Sequence, residues 1–149
     1  LDITYDILTK TPELKAAIEL VRACPDTRFV LDHISKPYIS RQELEPWKSL
    51  ITELASFENV SCKISGLVTE AHWKNWEVSD FTPYTDHIIE SFSTSRIMFG
   101  SDWPVALLAA DSYSQVVDLA EKVTDGFSDS EKEAFWALNV SRSYKITNL

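Results

Sequence analysis

What this 149-residue sequence has little of narrows it first. Only three glycines occur, Gly66, Gly100 and Gly126, too far apart to form the glycine-rich turn that cradles phosphates between a strand and a helix. Nucleotide loops of that kind are excluded. The longest uninterrupted apolar run, Val105 to Ala110, is six residues, against the roughly 20 that a bilayer-spanning helix needs. No membrane partner is expected. Cys24 and Cys62 stand in no metal or redox spacing, which favours two reduced thiols in a cytoplasmic setting over a disulfide. Positive charge is also short: 14 Lys and Arg face 23 Asp and Glu, for a formal net charge of −9, and they form no run. A nucleic-acid surface needs a basic face, so none is expected. No His-x-His pair and no cysteine cluster is present to found a complete metal site. The amino terminus, LDITYDILTK, lacks both an initiator Met and a basic-then-apolar leader, so the chain is expected to be processed, trimmed or part of something longer.

What the sequence does contain is alternation. Short strand-like runs begin near residues 3, 29, 60 and 97: Ile3 to Leu8, Phe29 to His33, Val60 to Ser65 and Ile97 to Asp102. Each is followed by a helical stripe. Thr11-Pro12 opens one with Leu14, Ala17, Ile18 and Val21; a second carries Leu44, Trp47, Leu50, Ile51 and Leu54. Thr82-Pro83 is expected to open a third with Tyr84, Ile88 and Phe92, and a fourth shows Val116, Leu119, Ala120 and Val123. Ser128 and Glu131 make a capping box for a last helix through about Leu138. Strands separated by helical crossovers must pair in parallel. The expected class is α/β, one unit over 1–149, either an open doubly wound sheet or a segment of a (β/α)8 barrel; the missing glycine-rich loop weighs against the first.

Parallel α/β folds build sites at the carboxyl ends of their strands. Polar groups gather there: Asp6 in the first strand, Asp32-His33 ending the second, Lys63 and Ser65 in the third, Ser101-Asp102 ending the fourth. Strand alternation would turn Asp32 and His33 to opposite faces, leaving only one for the site. It also forbids a triad through Ser101, which is expected to bond backbone near the turn. His33 and Asp102 are the candidate catalytic pair, and two ligands of any larger metal set. Lys36, Lys63, Ser65, Trp73 and Trp103 are candidates to contact substrate, with Trp76 a further aromatic in the same loop as Trp73. His72 and His87 are expected to be solvated.

The segments FVLDHISKP (29–37), VSCKISGLVTEAHW (60–73) and IMFGSDWPV (97–105) resemble consecutive blocks of the amidohydrolase-related lactonase family, the group of L-fuconolactonase and L-rhamnono-lactonase. ELEPWKSLITELA and EAFWALNVSRSYKI resemble it too. The resemblance implies the carboxyl-terminal half, strands five to eight, of a (β/α)8 TIM barrel plus a C-terminal helix. His33 would end the sixth strand and Asp102 the eighth, where it activates water. It implies hydrolysis of a sugar-acid lactone, with a divalent metal such as zinc or with no cofactor; both stay open. The family's His-x-His on the first strand has no counterpart here. The expected partners are then a small lactone and either the missing N-terminal half or a second copy of the chain. Alternatives are a half-barrel scaffold without activity, and the same chemistry on a pyrone carboxylate. A half-barrel exposes two parallel edges, expected at the strands of Tyr5 and Met98.

Overall fold

In the computed structural model, which describes residues 3–147, strands and helices alternate as β1 (Thr4–Ile7), α1 (Leu14–Ala23), β2 (Arg28–Leu31), α2 (Trp47–Ala55), β3 (Val60–Ile64), α3 (Val78–Phe92), β4 (Ile97–Phe99) and α4 (Tyr113–Val123). The outermost residues of the unit expected over 1–149 lie outside the described residues. The four strands form one parallel sheet in the order β1-β2-β3-β4. Each crossover moves one strand on, and α1 packs on α2, α2 on α3 and α3 on α4. A doubly wound sheet reverses its strand order at the centre; this one does not, as a barrel segment requires.

Register decides which side chains face the helices. Ile7, Leu31, Cys62 and Ile97 lie level across the sheet and join the core beneath the helices. The alternate positions Asp6, Val30, Ser61, Lys63 and Met98 turn to the other face. That face is crossed by the end of the chain. Helix α5 (Asp129–Glu133) is capped by Ser128, whose N–H and hydroxyl both reach Glu131 at 2.9 and 2.7 Å. It runs through a π-helical turn (Ala134–Leu138) into α6 (Asn139–Tyr144), a full helix beyond the expected stop at Leu138. Thr4 Oγ1 donates to Ser143 O at 2.6 Å, and the Tyr144 hydroxyl donates to the Asp6 carboxylate.

Among the described residues, each outer strand of the sheet pairs on one side only. Asn139 Nδ2 donates to Thr94 O and Ile97 O at 2.8 and 2.7 Å, and the Trp136 ring stacks 4.5 Å from Phe99. Met98 is fully buried and Asn139 caps one β4 carbonyl, but among the described residues no further strand pairs with β4, so the edge expected there is present. At β1 the expectation holds, with Tyr5 52% and Leu8 64% exposed.

Two further expectations are corrected. Helix α3 starts at Val78, not at Thr82-Pro83: Glu77 N–H donates to the Asp80 carboxylate at 2.9 Å, and Trp76 packs edge-on against Phe81 at 5.4 Å. That capping contact and apolar staple outweigh the single helical bond that Pro83 cannot make. His87 is buried rather than solvated, because it lies on the α3 stripe facing α2; its Nε2 meets Lys48 O at 3.0 Å and its ring meets Trp47 at 5.6 Å. His72 is exposed as expected.

Candidate active site

The strands end earlier than the sequence suggests, and the polar groups stand on the turns that follow. β2 stops at Leu31 and the chain then turns left-handed, with φ of 53° at His33, 47° at Ile34, 58° at Ser35 and 45° at Lys36. For a residue with a Cβ this conformation costs about 1–2 kcal/mol, and more is expected for a β-branched side chain. Tertiary contacts hold it. Ile34 is buried in the core, Trp47 Nε1–H donates to the Ile34 carbonyl at 2.7 Å, and the Ser35 and Thr9 hydroxyls pair at 2.8 Å. Replacing Trp47 with Phe leaves that buried carbonyl without its donor. We expect a loss of about 1–3 kcal/mol in urea unfolding, with a looser turn at His33.

The turn overrides the strand alternation that separated Asp32 from His33. Both now address one cluster: Asp32 Oδ1 is 2.8 Å from Lys63 Nζ, and His33 Nε2 is 3.5 Å from Asp102 Oδ1. Asp102 is delivered from the other direction. β4 ends at Phe99, Gly100 N–H still bonds Ile64 O at 3.2 Å, and Asp102 is itself left-handed at φ 53°. Its side chain is 8% exposed, and Oδ2 is buried with no hydrogen-bond partner among the described residues. Ser101 behaves as expected, its hydroxyl accepting from Trp103 N–H at 3.3 Å.

Two glycines make the fit possible. A Cβ on Gly66, at φ +60°, would lie 2.9 Å from His33 Cγ and Nδ1, and one on Gly100 would lie 2.7 Å from Ser65 Cβ. Ser65 is buried, with its Oγ 2.8 Å from His33 Nδ1. That places its hydroxyl on the histidine.

Burial lowers the His33 pKa; the charges of Asp102 and Asp32 pull it up, those of Lys36 and Lys63 push it down, and the net direction is downward from 6.5. The folded ring therefore binds its proton at lower pH than the unfolded one. Below pH 6.5 the unfolded chain takes up more protons, so stability falls as pH drops through that value and His33 contributes nothing to the slope above it. His33→Gln should flatten the dependence of the urea midpoint on pH below about 6.5, the ordinary histidine value.

The two lysines are already engaged. Lys36 Nζ is 3.0 Å from Glu70, and Lys63 Nζ is 3.3 Å from Asp6 as well as 2.8 Å from Asp32. Burial alone would lower the Lys63 ammonium, but hydrogen bonds to Asp32 and Tyr144 raise it instead. Tyr144 is pushed up to about 12, by burial and by its bond to Asp6. Trp73 and Trp103 lie on the loops after β3 and β4, each about half exposed; Trp73 Nε1 donates to Thr69 O at 2.9 Å and Trp103 packs against Tyr113 at 5.7 Å. Sequence reasoning passed over Glu70 and Tyr144, which have no local signal: one closes a single 3-10 turn and the other an ordinary helix end.

A resident divalent ion needs three or four converging ligands. His33 Nε2 and the Asp102 carboxylate are two, and among the described residues no group of three or more His, Cys, Asp or Glu could hold one. The orphaned Oδ2 of Asp102 suits a ligand, but the described residues by themselves do not complete a metal site.

Residues 1–146 match the family model for Amidohydrolase. The chain is 35% identical over 156 aligned residues to L-fucono-1,5-lactonase of Burkholderia multivorans, covering 97% of this chain and 52% of that protein. To L-fucono-1,5-lactonase of Burkholderia ambifaria it is 35% identical over 148, covering 97% and 51%. A crystal structure of an amidohydrolase from Burkholderia multivorans, with bound zinc, superimposes with a TM-score of 0.86 at 36% identity, over 95% of this chain and 52% of that one. The chain spans about half the length of the curated relatives it matches.

Proposed function

We propose, because this chain belongs to the amidohydrolase family, that it forms half of a hydrolase that opens a sugar-acid lactone by water attack on the ester carbonyl. The observation that carries this reading is the pair His33–Asp102, brought together from β2 and β4, with the buried Oδ2 of Asp102 left free to accept a proton. Asp102 takes a proton from water as the water oxygen bonds to the carbonyl carbon. The ring C–O bond then breaks, and Asp102 returns that proton to the departing ring oxygen. His33 Nε2–H faces Asp102 Oδ1 and orients the carboxylate.

The substrate class follows from charge. Lys36 and Lys63 are neutralised by Glu70, Asp6 and Asp32, and Asp102 adds a negative charge. A neutral aldono-lactone meets no repulsion there, whereas a pyrone carboxylate meets carboxylates and no spare lysine between these two. The unpaired outer edges of β1 and β4 support a further requirement, that the remaining half of the barrel docks against them. Free thiols at Cys24 and Cys62 support a reducing, cytoplasmic setting; among the described residues no helix is long and apolar enough to cross a membrane. Titrating the acid released from a panel of neutral and carboxylated lactones, with the chain in its completed barrel, tests the reading. Turnover confined to neutral lactones supports it; preference for carboxylated rings, or no hydrolysis of either, sinks it.

A further inference from the structure

Ser65 has no place in the bond-making steps, yet the structure has built a close fit around it. It directly follows β3 and is 4% exposed; its Oγ lies 2.8 Å from His33 Nδ1. Two of the chain's three glycines are required by this pair: a Cβ at Gly100 would strike Ser65 and a Cβ at Gly66 would strike the His33 ring. Room has been cleared for a hydroxyl and an imidazole to meet edge to edge.

The direction of the bond follows from donor and acceptor types. A carboxylate only accepts, so the His33 nitrogen facing Asp102 Oδ1 must carry the hydrogen. A neutral imidazole has one N–H, which leaves Nδ1 bare, and the neighbour of a bare nitrogen must donate. A serine hydroxyl can do either; here only donation completes the chain. We propose that Ser65 is a positioning residue: its hydroxyl donates to His33 Nδ1, fixes the imidazole as the Nε2–H form aimed at Asp102 Oδ1, and so leaves Oδ2 as the unpartnered carboxylate oxygen that takes the proton. Ser65 thus acts through two intervening groups, without touching substrate, and Oδ2, though buried, is the carboxylate oxygen with no protein partner among the described residues. The last link rests on the lactone-hydrolysis reading; the bond direction does not.

Heavy-nitrogen NMR of the three histidine rings in this chain tests it, with His33→Gln used to assign the His33 signals. The expected spectrum shows a protonated Nε2 and a hydrogen-bonded, unprotonated Nδ1. In Ser65→Ala the Nδ1 signal moves to the position of a free lone pair while the amide spectrum away from the site is unchanged. Ser65→Cys keeps the volume but donates weakly, and shifts Nδ1 in the same direction by less, which serves if the alanine variant does not fold. A protonated Nδ1 in the parent chain, or an Nδ1 signal that neither variant moves, overturns the proposal. In the completed barrel, Ser65→Ala should lower kcat about tenfold, the equivalent of one hydrogen bond, with KM little changed; a rise in KM alone would assign Ser65 to substrate binding instead. Should no lactone be hydrolysed at all, the functional reading fails and the NMR result stands by itself.

Discussion

Asp102→Asn should lower kcat of the completed enzyme by about 10²- to 10⁴-fold, the range of a lost general base, while leaving the melting temperature in place. The two halves of that expectation come from different properties of the residue. Asparagine tolerates the left-handed backbone found at φ 53°, matches aspartate in shape, and its carbonyl oxygen keeps the 3.5 Å approach to His33 Nε2. The fold therefore loses little. What asparagine cannot do is take a proton from water at the position of the buried Oδ2. Steady-state kinetics beside a thermal melt reads both. A variant that melts early would make Asp102 a structural carboxylate, and one with unchanged kcat would remove it from the base role.

Gly66→Ala should damage stability and turnover together. At φ +60° alanine costs about 1–2 kcal/mol for its backbone alone. Its Cβ would also sit 2.9 Å from the His33 ring, which has little freedom to retreat because Ile34 behind it is anchored to Trp47. The ring must shift, the Ser65 bond must stretch, and the gap to Asp102 must change. Displacements near 1 Å at a reacting group can cost about 10²-fold in rate, so a loss of 10- to 100-fold in kcat is expected alongside the lower urea midpoint. Gly126→Ala is the control: its Cβ would meet nothing within 4 Å, and neither quantity should move by more than a small fraction.

The alternation of strand and helix was legible because it is a local property. Stripes such as Leu14, Ala17, Ile18 and Val21 bury together, and the parallel sheet follows once the crossovers are helical. The candidate pair was legible from its position at two strand ends. The geometry that joins the pair was not. Nothing local favours a left-handed path through His33 and Ile34, and the contact that stabilises it comes from Trp47, thirteen positions onward in the chain. Asp32 was set aside by a rule that applies to extended backbone and stops applying where β2 stops. Lys36 and Lys63 looked available for substrate because their partners Glu70 and Asp6 are distant in sequence. The cap on the β4 carbonyl comes from Asn139, whose side chain reaches back to Ile97, a contact that no periodicity announces.

Hydrolysis of a neutral aldono-lactone in water labelled with heavy oxygen, with the parent enzyme and Asp102→Asn in parallel, tests the central claim most directly. Water attack on the carbonyl places the label in the product carboxylate, and the Asp102→Asn variant forms labelled product about 10²-fold more slowly or less. Label in the hydroxyl released from the ring, or incorporation at the same rate in both proteins, would contradict it.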